Sequence, residues 1–347
     1  MPAPPSDTLH APGAVTLDQV ADAAGVSPST VSRVLNRSAK VSEAKRRVVE
    51  ETVARLNFQL NPLARGLALG RSMSIGVVTQ AMDSPFYGEA MRGVEDALDG
   101  TGFLPLFISG HWSEPVEARC LQMLQARRVD GVVVLHGRLS DAELMRVAER
   151  VPVVVTGRRL QGPQLLSFSV ADFDGAVQAT QHLLELGHRY IAHLSGPDSH
   201  SDALERKAGY RHALEQAGIP FDARLVVQGE LHEQSGAVVM QRLLDSAQPF
   251  TAVFAANDQM AFGAQLALRR RGLRVPQDVS LVGFDDLPVS AFMMPPLTTV
   301  RQPAHDIGRL AVQGMLALIE GRKLDLAAPA LQLIVRESTQ FPAPGIG

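Results

Sequence analysis

Two sets of side chains in this chain have the types and spacing for recognition chemistry. The first is Pro28, Ser29, Thr30, Ser32 and Arg33 in the run SPSTVSRVLN, with Asn36 and Arg37 following. At helical spacing Val31, Val34 and Leu35 share one face, which leaves Pro28, Ser29, Ser32 and Arg33 on the opposite, polar one. An arginine near a helix N-terminus is shaped to fork onto guanine in a major groove, with Ser29 beside it at a base edge. Thr30, Ser32, Asn36 and Arg37 are placed for backbone oxygens, which fix position without reading sequence. The second set follows short apolar runs: Asp83 with Phe86 and Tyr87, Arg158 and Arg159, Arg206, Asn257 and Asp258, Asp285 and Asp286, and Gln302. Such a mixture suits a polyhydroxylated ring, because hydroxyls need paired donors and acceptors while an aromatic face covers the apolar side.

The first set needs two short helices and a tight turn to hold it. Thr16 and Gln19 form a capping box that starts a helix at about Leu17, with Val15 and Val20 as the flanking staple. Gly25 ends that helix, and Ser27 followed by Pro28 starts the next. Val31, Val34 and Leu35 then pack on Val20 and Ala21, which is helix-turn-helix geometry. Ser42 caps a third helical pattern, in which Val48, Val49, Val53 and Leu56 repeat before Asn57 closes it. Residues 1–72 hold nine Lys or Arg against six Asp or Glu, whereas the rest hold 24 against 30, so the small N-terminal unit is the basic one. A basic head on an acidic body is the electrostatic footprint of a DNA reader.

The second set requires a parallel sheet. After Arg71, apolar runs alternate with helical patterns: SIGVVTQ, LPLFISG, DGVVVLHG and PVVVTG, then YIAHLSG, LVVQGE, AVFAAND and VSLVGFDD. Continuously apolar strands are those covered by helices on both faces, so two doubly wound parallel-sheet units of the α/β class are expected. Ligands in such sheets bind outside the carboxyl ends of the strands, where the second set lies. Asp258 and Asp286 also suit helix caps, and Arg159 suits a solvated surface.

Composition narrows the class. With 347 residues, 46% hydrophobic and 20% charged, the chain is globular and long enough for more than one core. The single Cys120 excludes an internal disulfide framework and reads as a half-buried small hydrophobe. No apolar run approaches membrane-spanning length, and residues 1–14 lack the basic start and apolar core of a signal peptide, so a cytoplasmic, nucleoid-associated protein with no membrane partner is expected. Enzyme readings find little support: there is no Gly-rich phosphate loop with its Lys and no Cys or His pair at zinc spacing, and His232-Glu233 is followed by Gly236 where a zincin needs its second His. Neither a cofactor nor a metal is expected.

The run VTLDQVADAAGVSPSTVSRVLN, then RLNFQLNPLARGLA, DSPFYGEAMRGVE, RRVDGVVVL, HLLELGHRYIAHLSG, ERKAGYRHAL, FTAVFAANDQMAFGA, VPQDVSLVGFDD and PPLTTVRQP, resembles the LacI/GalR family of transcriptional regulators from about residue 15 to 340, nearest in spacing to its galactose-type members. The resemblance implies an N-terminal helix-turn-helix domain over 15–60 after a disordered tail, 1–14, and a hinge helix over 61–71. It implies a core of periplasmic-binding-protein type over 72–340, with one subdomain at about 72–170 and 302–331 and the other at about 171–301 and 332–340. It also implies DNA contacts from Thr16, Pro28, Ser29, Thr30, Ser32, Arg33 and Asn36, with Leu67 and Ala68 at the minor groove. A hinge helix containing Gly66 is too short to persist alone, so its folding is expected to couple to DNA and dimer contact. Phe86, Arg158, Arg206, Asn257, Asp285 and Gln302 are the implied effector contacts. Two departures are notable: Gly157 stands where many relatives have Asp, and Leu231 where they have a ligand-stacking aromatic. Only a short tail follows the last predicted strand, so a homodimer without a tetramer-forming helix is expected. The implied partners are double-stranded operator DNA and a small carbohydrate effector that releases the repressor. A corepressor-dependent regulator of the same fold is one alternative. The other, a sugar-binding protein with no DNA role, is opposed by the basic head.

Overall fold

The computed structural model describes residues 15–35, 41–58 and 71–343, in two units, 1–72 and 73–347. The small unit contains α1 (Leu17–Ala24), α2 (Pro28–Leu35) and α3 (Glu43–Arg55). At the start of α1, Thr16 Oγ1 accepts from the Gln19 amide at 3.3 Å and the Thr16 amide donates to Gln19 Oε1 at 2.8 Å, while Gly25 ends the helix at φ 64°. Ser27 Oγ accepts from the Thr30 amide at 3.3 Å at the head of α2. Val20, Ala21, Val31, Val34 and Val49 form the buried core. On α3 the buried face differs by one position from the expected repeat: Val48 is 41% exposed and Thr52 is buried, because the face that meets α1 and α2 is centred on Val49. Ser42 stands at the N-cap of α3 without a side-chain cap bond.

In the large unit the first sheet comprises β1 (Ser74–Thr79), β2 (Leu104–Ser109), β3 (Gly131–Val134), β4 (Val153–Thr156) and β5 (Leu165–Phe168), ordered β2-β1-β3-β4-β5 and all parallel. Its crossovers are α4 (Pro85–Leu98), α5 (Glu114–Ala126) and α6 (Asp141–Ala148). Val77 pairs with both Phe107 and Val133 in register, so valines of the central strands lie fully buried between helical layers. The second sheet follows α7 (Asp172–Glu185) and contains β6 (Ile191–Ser195), β7 (Val226–Gln228), β8 (Ala252–Ala255), β9 (Ser280–Asp285), β10 (Thr298–Arg301) and β11 (Gln332–Ile334). Its order is β11-β10-β9-β8-β6-β7, with only β11 antiparallel, and α8 (Ser201–Gln216), α9 (Glu233–Asp245) and α10 (Asp258–Arg270) cover it.

The chain crosses between the sheets three times. After β10 it returns as α11 (Ala304–Ile319), which buries Ile307, Ala311, Val312 and Met315 in one cluster with Ile75, Val77 and Val133 of the first sheet, before crossing back to β11. Strands β5, β10 and β11 were not visible as apolar runs. They are short, two are sheet edges, and Ser, Thr, Arg and Gln interrupt them.

A fully buried imidazole sits in the second sheet. His193 stacks between Tyr210 and Phe254, with ring centres 5.0 and 4.8 Å away, and its Nδ1 donates to the Phe254 carbonyl at 2.9 Å. Burial pushes its pKa down to about 4, so the folded ring is neutral. The unfolded chain takes up this proton at a higher pH, near the ordinary 6.5. Stability from His193 is therefore full above about pH 6.5 and is lost as pH falls toward about 4. Asp172 and Asp258, each raised to about 6 chiefly by burial, act in the opposite direction over that range. Comparing variants isolates the histidine: on acidification from pH 7.5 to 4.5 the melting temperature of His193→Phe is expected to fall less than that of the wild type. Parallel falls would contradict the assignment.

Candidate functional site

The small unit presents the first set of residues on the outer side of α2. Pro28, Ser29 and Arg33 are exposed there, while Thr30 and Ser32 are half-buried along the same helix, and Thr16 is half-buried at the cap of α1. Arg33 Nη2 donates to Ser29 Oγ at 3.1 Å, one turn back, so the guanidinium is held against the N-terminal end of the helix. Asn36, Leu67 and Ala68 lie outside the described residues.

The second set converges on a cavity of about 740 Å³ at the carboxyl ends of strands from both sheets. Phe86, Arg206, Asn257, Asp285 and Gln302 all line it. Arg158 does not. Its Nη1 donates to the Leu139 carbonyl at 2.6 Å and to Asp141 Oδ1 at 3.1 Å, and its Nη2 donates to the Gly137 carbonyl. Two loop carbonyls ahead of α6 need donors, and the guanidinium fork satisfies them instead of facing the cavity. Arg159 is exposed, as a surface charge. Neither aspartate read as a possible cap performs that role. The N-cap of α10 is Asn257, whose Oδ1 accepts from the Met260 amide at 2.9 Å, while buried Asp258 accepts from Leu287, Ser290 and Thr299 and ties three segments together. Asp286 pairs with Arg301 at 2.7 Å and Arg336 at 2.6 Å.

Arg206 is the hub of the cleft floor. Its Nε donates to Asp172 Oδ1 at 2.9 Å and its Nη1 to the Ala256 carbonyl at 2.7 Å. Asp285 lies 3.8 Å from Nη1 and Asp202 3.9 Å from Nη2, and the guanidinium carbon lies 3.9 Å from the centre of the Phe284 ring. Burial alone would lower the arginine's pKa, but Asp172, Asp285 and Asp202 together raise it. Burial also pushes Asp285 well above the usual carboxylate range, against the pull of Arg206. Asp202 ends lower than usual, because Arg206, His136 and His200 outweigh its burial. Gln302 Nε2 donates to Asp285 Oδ1 at 3.0 Å. Among the described residues, three polar atoms of the lining side chains, Asp202 Oδ1, Gln302 Oε1 and His200 Nδ1, are buried without a hydrogen-bond partner. The two oxygens are acceptors, on side chains that line the cavity, whose capacity the protein's own donors leave unused.

The aromatic wall differs from the sequence reading. Phe86 packs edge-on against Tyr87 and His136, while Trp112 from the β2–α5 loop stacks on His200 from the β6–α8 loop at 3.8 Å, joining the two halves of the cleft. Leu231 lines the cleft, and Trp112 supplies a large ring nearby. Gly157 has a physical reason too: at φ 78° a Cβ would stand 2.2 Å from His136 Cδ2, so its absence makes room for this imidazole. Gln80 holds both loops, its Nε2 donating to the His136 carbonyl at 3.1 Å and its Oε1 accepting from the Trp112 amide at 3.0 Å. Glu117, buried and raised in pKa chiefly by that burial, accepts from the amides of Arg138 and Leu139. Trp112, His136 and His200 are absent from the set expected from sequence, yet each follows a strand legible there, and their position past a strand end is the signal that marks them.

Comparison with known proteins adds the following. Residues 16–61 match the bacterial regulatory proteins of the lacI family, and residues 180–339 match the periplasmic binding protein-like domain. The chain is 38% identical over 310 residues to the HTH-type transcriptional regulator GalR of Escherichia coli (strain K12), covering 89% of this chain and 90% of that protein. A structure of the Lac repressor dimer bound to operator and the anti-inducer ONPF aligns at TM-score 0.84 and 32% identity, over 94% of this chain and 99% of the other. A complex of the transcriptional regulator CelR with cellobiose aligns at TM-score 0.69 and 36% identity, over 93% and 99%.

Proposed function

The chain belongs to the lacI family of bacterial regulatory proteins, and from that premise we propose that it is a dimeric repressor released from its operator by a small sugar bound in the cleft. It is a DNA-binding transcriptional regulator with a helix-turn-helix head and two parallel-sheet subdomains. The observation that carries the sugar reading is the cleft floor. Unpartnered acceptors on Asp202 and Gln302 lie beside the Arg206 cluster, with the rings of Phe86 and Trp112 in the wall, and this arrangement suits hydroxyls on one side of a ligand and its apolar face on the other. Phe86, Arg206, Asn257, Asp285 and Gln302 are the proposed effector contacts, joined by Trp112, His200 and Asp202. Among the described residues no helix is long and apolar enough to cross a membrane, and the family's regulators act on DNA, which supports a cytoplasmic site of action. Trp112 is the chain's only tryptophan, so its fluorescence reports the cleft directly. A sugar screen read by that fluorescence and by melting temperature tests the reading, since a ligand specific to the folded cleft raises the melting temperature by mass action. If no sugar moves either signal, the reading fails.

On the DNA side, Ser29 and Arg33 are proposed to read base edges, with Thr16, Pro28, Thr30, Ser32 and Asn36 around them and Leu67 and Ala68 entering the minor groove. Arg33 gives one N–H to Ser29, and its guanidinium carries four more that a base edge can use. Arg33→Ala is therefore expected to weaken binding to a selected operator about tenfold, the lower end of a bidentate base contact, with little change on random DNA. An equal loss on both DNAs, measured by fluorescence anisotropy, contradicts a base-reading role.

A further inference from the structure

The charge of the cleft restricts the ligand further. Among the described residues Arg206 is the one Lys or Arg side chain in the lining, and Asp172, behind the cavity, pairs with it at 2.9 Å through both Nε and Nη2. Against it stand the Asp202 carboxylate on the floor and Asp83, Glu230 and Glu233 toward the mouth, with Asp285, raised in pKa by burial, as a further acid on the floor. Arg138 lies outside the lining, and its Nη1 donates to the Trp112 carbonyl at 3.4 Å. The imidazoles add no charge where they are deepest: burial lowers the pKa of both His136 and His200, so they are neutral at pH 7. Hydrogen-bonding capacity points the same way. The buried atoms Asp202 Oδ1 and Gln302 Oε1 accept and cannot donate, whereas a phosphate dianion or a carboxylate brings acceptors only.

Building on the sugar reading above, we infer that the cleft selects its effector by charge: it takes a neutral or amine-bearing sugar, excludes phosphorylated and carboxylated sugars, and Asp202 enforces the exclusion. An O–H or N–H brought against the Asp202 side chain, which lines the cavity, satisfies the carboxylate. A phosphate placed there sets like charges together, a juxtaposition that costs tens-fold to many hundred-fold in affinity. An ammonium gains from the same carboxylate through a charge-assisted bond.

The test uses the full chain, Trp112 fluorescence and calorimetry, with matched sets built on one ring: D-galactose, D-galactosamine, D-galactose 1-phosphate and D-galacturonate, then D-glucose, D-glucosamine and D-glucose 6-phosphate, with cellobiose as a neutral disaccharide. Where a set binds, its neutral or amine-bearing member is expected to bind at least about a hundredfold more tightly than its anionic members. In Asp202→Asn, which keeps the shape and removes the charge, that ratio is expected to shrink about tenfold or more. A phosphorylated or carboxylated member that binds within threefold of its parent overturns the inference, as does an unchanged ratio in Asp202→Asn. Silence from every sugar, charged or not, overturns the sugar reading itself, an outcome distinct from binding with the wrong charge preference.

Discussion

Arg206→Met is expected to lose about 3 to 5 kcal/mol of stability, the usual cost of removing one partner from a buried charge cluster. Arg206 is 3% exposed and stands among Asp172, Asp202 and Asp285, with the Phe284 ring beneath it. Methionine fills much of the volume over that ring but leaves the three carboxylates facing one another without a cation. They relieve the repulsion by holding protons, so the folded pKa values of Asp172 and Asp285, already raised, rise further and Asp202 loses the cation that holds it low. Stability linked to such groups is present at low pH and lost as pH rises through the folded values. The deficit of the variant should therefore be larger at pH 8 than at pH 5. Arg206→Lys keeps a charge but not the fork that reaches Asp172 and the Ala256 carbonyl together, so it should fall between the two. Denaturant unfolding at the two pH values measures this, and a loss below about 1 kcal/mol, or one independent of pH, rejects Arg206 as the hub.

Asp285→Ala is expected to lower effector affinity about a hundredfold while leaving operator affinity in the absence of effector nearly unchanged. Asp285 ends β9 at φ 114° and accepts from Gln302, so its removal strips the floor of an acceptor and frees the amide that helps set the Gln302 side chain. The α2 residues proposed to read DNA belong to the other unit. In the cell such a variant represses and does not respond to inducer. Calorimetry with a sugar that the wild type binds measures the first half of this expectation, and operator titration the second. Normal sugar binding, or lost operator binding by a folded variant, contradicts the role.

Local chemistry was legible in the sequence to the extent that it stayed local. The Thr16–Gln19 box, the Gly25 terminus and the Ser27-Pro28 restart depend on residues at most a few positions apart, and the structure contains each of them. The central strands were legible because burial on both faces demands unbroken Val and Ile runs, whereas β5, β10 and β11 are held by their neighbours more than by their own composition. Arg158 shows a different limit. Its place after a strand was visible, but the direction of its side chain is decided by carbonyls at 137 and 139, which only the folded chain brings near. Trp112 and His200, 88 positions apart in the chain, meet only because two subdomains face each other.

The central claim is that the cleft and the DNA-reading head share one equilibrium. It is tested by measuring both affinities of the same protein: operator affinity with and without a saturating sugar, by anisotropy, and sugar affinity with and without saturating operator, by Trp112 fluorescence. Linkage requires the two ratios to be equal, and release by an inducer requires both to show weakening, by about fivefold or more for a coupling of 1 kcal/mol. Sugar affinity that is the same on and off the operator would contradict the claim, and sugar that tightens operator binding would replace induction with corepression.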